Sequence, residues 1–155
     1  MSFSEEIGVS GNVHIEVRDR DGRLVETTTV KNLVTAAGRR LLGRVLSGQT
    51  GLTGTLHMAV GSGKATTTPS HTQLDAQLDR VAVSSSELLD VSDRVVLRVN
   101  ATFDRLSGDA EQVLQEAGIV ILPPDGQPVL FNRVVFKPIT RSTDLAISLS
   151  WDILF

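Results

Sequence analysis

Cysteine and tyrosine are both absent from this 155-residue sequence, and aromatic residues make up only 4% of it. Without cysteine the chain has neither a disulfide framework nor a thiolate metal site, and cysteine usage assigns no redox compartment. The scarcity of aromatic side chains argues against sugar stacking as a main function, because flat aromatic faces provide the contact area for it.

A basic excess and a long apolar run are also missing. The formal net charge is −3, whereas a dedicated nucleic-acid binder normally carries an excess of basic residues. No apolar stretch approaches the roughly 20 residues that a membrane-spanning helix needs. The first ten residues, MSFSEEIGVS, are acidic and polar, unlike a signal peptide. We therefore expect no nucleic-acid partner, no membrane span and synthesis in the cytoplasm.

Alternation of apolar and polar residues is the main pattern that is present. It is clearest over residues 12–17, 95–103 and 145–155, and this period is typical of half-buried β-strands. Further strands are predicted over residues 24–30, 56–60, 80–84, 87–91, 112–121 and 128–136. Asp21-Gly22 and the PPDG at 123–126 are strong turn signals. The sequence predicts one mainly β domain over residues 12–155, preceded by an N-terminal arm over residues 1–11.

A single long helix is predicted over about residues 31–47, where apolar residues recur at three- and four-residue steps. Either Asn32 or Thr35 is its N-cap, and Gly48 lies where a left-handed C-terminal cap is expected. Gly38 and Gly43 lie inside this helix at some cost in stability. Close approach of another backbone and loose surface packing both explain them.

A second, short helix is predicted over about residues 72–79, with Thr72 as its N-cap and Asp75 three residues later. Together the elements predict an antiparallel β-sandwich on which the long helix lies. In that arrangement Leu41, Leu42 and Val45 pack against three core residues of the sheet: Val99, Leu149 and Trp151. The last strand, over residues 145–155, is predicted to be either central in the sheet or at a subunit contact.

A glycine-rich stretch, MAVGSG at 58–63, follows a predicted strand and raises the question of a phosphate loop. Gly61, Gly63 and Lys64 are too close together for the GxxxxGK[ST] spacing, and no helix follows directly. A tight turn that needs positive φ is the preferred explanation.

No other group of residues has the spacing of a catalytic or metal site. His14, His57 and His71 are scattered, and His57 is predicted to lie on the surface or at the core edge. Four carboxylates flank a turn without matching an EF-hand, and a solvated loop is the preferred explanation for them: Asp104, Asp109, Glu111 and Glu116. No GxSxG elbow is present, and Trp151 is predicted to be core. We expect no catalytic, cofactor-binding or metal-binding residues, no cofactor and no enzymatic activity.

Several stretches, in order, resemble a known family. They are VKNLVTAAGRRLLGRVL at 30–46, LHMAVGSG at 56–63, QEAGIVI at 115–121 and LFNRVVFKPITRSTDLAISLSWDILF at 130–155. This series resembles small bacteriophage tail-associated virion proteins, whose members commonly have KNLVTNAG, AVGTG, EAGLF and ARVxFxPITK patterns. Ala36 replaces the usual asparagine, and Ile119-Val120 replaces Leu-Phe. The resemblance implies a virion component without fixing its place and adds no catalytic residues.

The leading hypothesis is therefore a structural protein of a phage tail or related contractile particle, in the fibre, baseplate or collar region. Its expected partners are further copies of itself and other virion proteins, and its expected location is the virion after assembly in the bacterial host cytoplasm. Three alternatives remain: a capsid decoration protein, a carbohydrate-binding host-attachment module, and an envelope-degrading hydrolase, which ranks last because no acid–base pair or nucleophile is identifiable.

Overall fold

A computed structural model describes residues 8–52, 54–124 and 126–155. Within these residues the chain forms eleven strands and one helix. In chain order they are β1 (Ser10–Arg18), β2 (Leu24–Lys31), β3 (Leu33–Val34), α1 (Ala36–Leu46), β4 (Thr55–Gly61), β5 (Gln77–Ala82), β6 (Ser85–Val91), β7 (Arg94–Phe103), β8 (Glu111–Leu122), β9 (Val129–Leu130), β10 (Asn132–Ser142) and β11 (Ala146–Leu154). The prediction of a mainly β protein is confirmed. β1 begins inside the predicted arm, and residues 1–7 of that arm lie outside the described residues.

The strands form two antiparallel sheets. The five-stranded sheet has the order β2-β1-β11-β7-β6, and the second sheet has the order β3-β10-β8-β4-β5 with β9 paired to β8. β11 is central, paired with β1 on one side and β7 on the other. The β1–β2 hairpin turns where Asp21-Gly22 predicted it, and Gly22 has a φ of 78° that favours glycine.

The main hydrophobic core draws side chains from both sheets. From the five-stranded sheet come residues such as Ile15, Val99 and Trp151, and from the second sheet Met58 and Ile119, all of them at most 1% exposed. This follows from the period of two, since alternate residues of each strand point to the same face. The prediction that Trp151 is a core residue is confirmed.

The helix is shorter than predicted. α1 covers Ala36–Leu46 instead of about 31–47, because Leu33–Val34 forms a strand that pairs with Asn132 and Arg133 of β10. Thr35 is the N-cap, and its hydroxyl accepts a hydrogen bond from the Gly38 amide. Gly48 follows the C-cap with a φ of 87°, as predicted.

The predicted packing of the helix is only partly correct. Leu41 is buried and Leu42 packs against the main core, but Val45 is 41% exposed. The chief contact of α1 is with β9, which lies within the predicted strand 128–136. A Cβ on Gly38 would lie 2.6 Å from the carbonyl oxygen of Phe131, whereas one on Gly43 would meet no atom within 4 Å. Close backbone approach thus explains the first glycine but not the second.

The predicted short helix over 72–79 is wrong. Residues 77–82 form strand β5, paired with β4, and residues 62–76 form an irregular segment without helix or strand. The amides of Asp75 and Ala76, which would belong to the helix, donate hydrogen bonds to the side chain of Glu116 instead. No helix in the described part of the chain is long and apolar enough to cross a membrane.

Candidate functional site: a buried ion-pair network

A pair of opposite charges is fully buried on neighbouring strands of the second sheet. Glu116 of β8 and Arg133 of β10 both have side chains that are 0% exposed, and the Arg133 Nε lies 2.9 Å from a Glu116 carboxylate oxygen. Burying an isolated charge costs several kcal/mol, so each of these groups requires partners. The partners come from the irregular segment 62–76.

Every oxygen of the Glu116 carboxylate is engaged. Oε1 accepts hydrogen bonds from the amides of Gly63 at 3.0 Å and Ala76 at 2.7 Å, and Oε2 accepts from the amide of Asp75 at 3.0 Å and from Arg133. One buried side chain thus binds both ends of the 62–76 segment. The segment is held against the sheet without forming a helix or strand of its own.

The guanidinium of Arg133 binds the same segment at three further points. Nη1 donates to the carbonyl oxygen of Ala65 at 2.7 Å and to the Thr67 hydroxyl at 3.0 Å, and Nη2 donates to a carboxylate oxygen of Asp75 at 3.2 Å. The other oxygen of Asp75 lies 3.4 Å from His71 Nε2. We call this set of side chains the ion-pair network: His71, Asp75, Glu116 and Arg133.

The glycine-rich stretch is explained by this network. A Cβ on Gly61 would lie 2.3 Å from the carbonyl oxygen of Ala76 and 2.5 Å from the Glu116 carboxylate, and one on Gly63 would lie 2.6 Å from the same carboxylate. The predicted turn with positive φ is wrong here, because the positive-φ glycines among the described residues are Gly22, Gly48, Gly51 and Gly108. The Gly63 amide, which a phosphate loop would offer to an anion, already binds an internal carboxylate.

The four carboxylates considered for calcium do not behave alike. Asp104, Asp109 and Glu111 are exposed, whereas Glu116 is the buried centre of the network. The prediction of a solvated loop is therefore wrong for Glu116. Among the described residues no group of three or more His, Cys, Asp and Glu side chains is placed to hold a metal ion.

The three histidines lie apart. His14 on β1 donates to or accepts from the Thr29 hydroxyl at 2.8 Å, and His71 belongs to the network. His57 on β4 is half-buried, in agreement with its predicted place at the core edge, and its Nδ1 has no hydrogen-bond partner among the described residues.

The outer face of the five-stranded sheet carries the charged groups whose pKa values are displaced. A hydrogen bond from Arg18, at 2.8 Å, lowers the pKa of the Glu16 carboxyl below its ordinary value. A hydrogen bond to Asp152 raises the pKa of Arg98. Both pairs occupy neighbouring positions of the sheet and are partly exposed to solvent.

The ion-pair network therefore has a structural role, which is to hold residues 62–76 against the second sheet. Its carboxylate is saturated with hydrogen bonds and closed to solvent, so it is available neither as a general base nor as a ligand. Sequence reasoning missed Asp75 and Arg133 as members. The signal for Arg133 is a charged residue inside the apolar run LFNRVVF, as Glu116 is inside QEAGIVI, whereas nothing in the sequence marks Asp75.

No family model, curated protein or solved structure matches this chain.

Proposed function

We propose that this chain is a structural component of a bacteriophage virion or a related contractile particle, in the tail fibre, baseplate or collar region. It acts by protein–protein assembly, and its two sheets form a β-sandwich around the shared core. The resemblance to tail-associated virion proteins supports this proposal. Three of the stretches that carry the resemblance meet at the ion-pair network. QEAGIVI supplies its carboxylate, LFNRVVF supplies its guanidinium, and AVGSG supplies the glycines packed against it.

The observation that carries the assembly proposal is the free edge of the five-stranded sheet at β6. Among the described residues β6 pairs only with β7, so its outer backbone groups are available to another strand. It also carries exposed apolar side chains, with Leu88 70% and Val91 51% exposed. An exposed edge with apolar residues favours pairing with another chain.

The central position of β11 rules it out as such an edge. The sequence left two places for the last strand, and the structure places it between β1 and β7. Contact between copies through the five-stranded sheet therefore falls to its edge strands, β2 and β6. β2 also exposes two apolar side chains, Leu24 at 49% and Val25 at 56%, but both lie at its first two positions, next to the β1–β2 turn. Leu88, at 70%, lies in the middle of β6, which makes β6 the better contact.

Sedimentation of the purified chain over a range of concentrations tests the assembly proposal. We expect reversible self-association that Leu88→Lys abolishes, because a charge on the edge opposes strand pairing. Leu78→Lys is the matched control, since Leu78 is 44% exposed on β5, the edge strand of the other sheet. A chain that stays monomeric, or that associates equally well with either variant, contradicts assembly through β6.

Labelling of phage particles with an antibody against the chain tests the location. We expect label on the tail. Label on the head instead favours a capsid decoration protein, and particles without label contradict a virion component.

We also expect the isolated chain to turn over neither peptidoglycan, nor polysaccharide, nor ATP. The buried carboxylate and guanidinium are closed to solvent and bound to one another. Reproducible turnover that a single point mutation abolishes contradicts the structural role.

A further inference from the structure

One end of the sandwich carries a row of neighbouring side chains that crosses the five-stranded sheet. The row consists of Val9 before β1, Phe155 after β11, Val95 of β7 and Asp90 of β6. Val9 lies opposite Phe155, because β1 and β11 are paired up to the adjacent position. The amide of Phe155 donates a hydrogen bond to the carbonyl oxygen of Val95 at 2.9 Å, and Asp90 pairs with Val95. We call these four residues the end row.

The end row continues the inner face of the five-stranded sheet beyond the core. Side chains alternate between the two faces along a strand. Each residue of the end row is therefore on the same face as the residue four positions away in one inner row, which consists of Val13, Trp151, Val99 and Ser86. The three apolar residues of the inner row are 0% exposed, whereas Phe155 is 50% and Val95 38% exposed. The apolar face of the sheet is covered at its centre and open to water at this end, as at a contact surface.

Helix α1 lies at the Val9 side of the end row and makes that side basic. Val9 and Phe155 line a groove of about 670 Å³ together with Leu46 of the helix. Leu46 is 89% exposed. The helix has no acidic residue and carries three exposed arginines, Arg39, Arg40 and Arg44. None of the three makes an ion pair with another described residue.

The β6 side of the end row is acidic. Asp90 ends the row, and Asp93 follows in the turn between β6 and β7. Both are exposed, and neither makes an ion pair with another described residue. The adjacent base, Arg94, belongs to the outer face because it alternates with Val95. Leu88 lies two residues before Asp90 on the same face and is 70% exposed, so this side is apolar as well as acidic.

The two charged sides are too far apart to neutralise one another within one molecule. From β1 to β6 the end row crosses three strand spacings, which is about 14 Å at ~4.8 Å per spacing. An ion pair needs its nitrogen and oxygen within about 4 Å of each other. Both the arginines of α1 and the carboxylates of Asp90 and Asp93 are thus left for a partner from outside the molecule.

A second copy of the chain complements both sides at once. A half-turn about an axis that crosses the middle of the end row places α1 of each copy opposite Asp90 of the other. The same rotation brings Phe155 and Val95 together with their counterparts. A two-fold contact of this kind is self-complementary and is the commonest arrangement in homo-oligomers. The reverse orientation sets arginines against arginines, which charge repulsion disfavours.

We propose that two copies of the chain associate through their end rows, with helix α1 of one copy against β6 of the other. The proposal rests on the assembly role and names what the inner face of β6 meets. Leu88 lies within this contact, so Leu88→Lys disturbs it together with the edge of β6. The outer backbone groups of β6 stay available to a further strand.

Cross-linking between single-cysteine chains tests the proposal, because the chain contains no cysteine of its own. One chain carries Gly43→Cys on α1, where a Cβ meets no atom within 4 Å. The other carries Ser92→Cys, exposed in the turn between β6 and β7. The matched control replaces the second chain by Ser107→Cys, exposed in the loop at the opposite end of β7. With a short bismaleimide we expect the 43–92 dimer to form about tenfold faster than the 43–107 dimer, because association raises the effective concentration of the first pair alone.

A denaturing gel distinguishes the outcomes when one of the two chains carries a tag that changes its size. Predominance of the 43–92 dimer supports the proposal. Predominance of 43–43 and 92–92 dimers overturns it, as do equal rates for Ser92→Cys and Ser107→Cys. If the parent chain self-associates and Leu88→Lys abolishes this without any preference for the 43–92 dimer, assembly through β6 stands and helix α1 is not its partner. A parent chain that stays monomeric contradicts both.

Exchange of the charges tests the two-fold symmetry by sedimentation. The first variant combines Arg39→Glu, Arg40→Glu and Arg44→Glu, which makes the helix acidic. The second combines Asp90→Lys with Asp93→Lys, which makes the β6 side basic. Each variant alone should associate at least about tenfold more weakly than the parent at low salt, where exposed charges are least screened.

An equimolar mixture of the two charge variants should form dimers again, since α1 of each then meets the opposite charge on β6 of the other. Such recovery does not follow if the substitutions merely damage the fold of either chain. A mixture that stays monomeric overturns the pairing of α1 with β6. Recovery only of assemblies larger than two chains overturns the two-fold arrangement, because a head-to-tail contact continues from copy to copy.

Discussion

Two arginine–carboxylate pairs with similar contact distances lie in different sheets of this molecule. Arg133 and Glu116 are 2.9 Å apart with both side chains 0% exposed, and Arg98 and Asp152 are 2.7 Å apart with 44% and 25% exposed. The first pair joins β8 and β10 of the second sheet, and the other joins β7 and β11 of the five-stranded sheet. The distances alone predict equal importance.

The surroundings of the two pairs make their contributions to stability unequal. The buried pair is also bound to the backbone of residues 62–76, so its loss leaves a charge and several amides without partners inside the protein. The exposed pair exchanges its hydrogen bonds for water when either partner is removed. Burial, not contact distance, therefore determines which ion pair the fold depends on.

Removal of the buried carboxylate should have the largest effect. Glu116→Ala leaves Arg133 buried and unpaired, and we expect the free energy of unfolding to fall by about 3–5 kcal/mol. Chemical denaturation measures this fall in the free energy of unfolding. The double variant Glu116→Leu with Arg133→Met should regain part of this loss, because no buried charge remains. If Glu116→Ala loses less than about 1 kcal/mol, which is the range of an exposed pair, the buried and the exposed ion pair do not differ in importance.

Adding one methyl group at Gly63, where the 62–76 segment contacts Glu116, should have an intermediate effect on stability. Gly63→Ala brings a Cβ to 2.4 Å from that of Asp75 and 2.6 Å from the Glu116 carboxylate. We expect a loss of about 1–3 kcal/mol, as for an overpacked core. Gly43→Ala is the control, since it lies in a helix with open space around it and should gain about 0.5–1 kcal/mol. Similar unfolding midpoints for the two variants contradict tight packing at residue 63.

Removal of the exposed carboxylate should have a small effect. Asp152→Ala breaks the bidentate pair with Arg98, and we expect a loss of at most about 1 kcal/mol. The loss should shrink further at high salt, which screens exposed charges. Chemical denaturation at two salt concentrations measures both. A salt-independent loss as large as that of Glu116→Ala contradicts the role assigned to burial.

The smallest effect on stability should come from Glu16, and it should depend on pH. Its pKa is lowered in the folded state by Arg18, so its ionised form stabilises the fold. That contribution is present above the unfolded pKa and is lost as the pH falls through the lowered folded pKa. We expect Glu16→Gln to be less stable than the parent chain at neutral pH, with the difference disappearing in acid. A difference that grows in acid contradicts the direction of the pKa shift.

Period-two patterns predicted the regular part of the fold well. Residues 12–17 and 95–103 lie in strands, as do residues 146–154 of the predicted strand 145–155, and the hairpin at Asp21-Gly22 is present. The helix was predicted too long because Leu33 and Val34 continue its apolar stripe. Their actual partners, on β10, are about one hundred residues away in sequence, and a local pattern carries no information about them.

The ion-pair network could not be predicted from local sequence patterns for the same reason. The amide of Asp75 finds its acceptor in Glu116, 41 residues later, and the Thr67 hydroxyl binds Arg133, 66 residues later. Thr72 to Asp75 has the spacing of a helix start, but the distant carboxylate takes the amides that such a helix needs. The glycines of AVGSG were noticed, whereas the atoms that require them belong to Asp75 and Ala76 of the irregular segment and to Glu116 on β8.

The central place of β11 has a consequence for how the chain is made. Among the described residues β1 and β7 are joined only through β11, so the five-stranded sheet stays in two separate pieces until residues 146–154 have left the ribosome. Until then the edges of β1 and β7 that β11 later covers are exposed to other nascent chains. Pairing across such sequence separations is slow, which prolongs that interval. Premature termination just before Ala146 should therefore yield an insoluble product, not a smaller version of the fold.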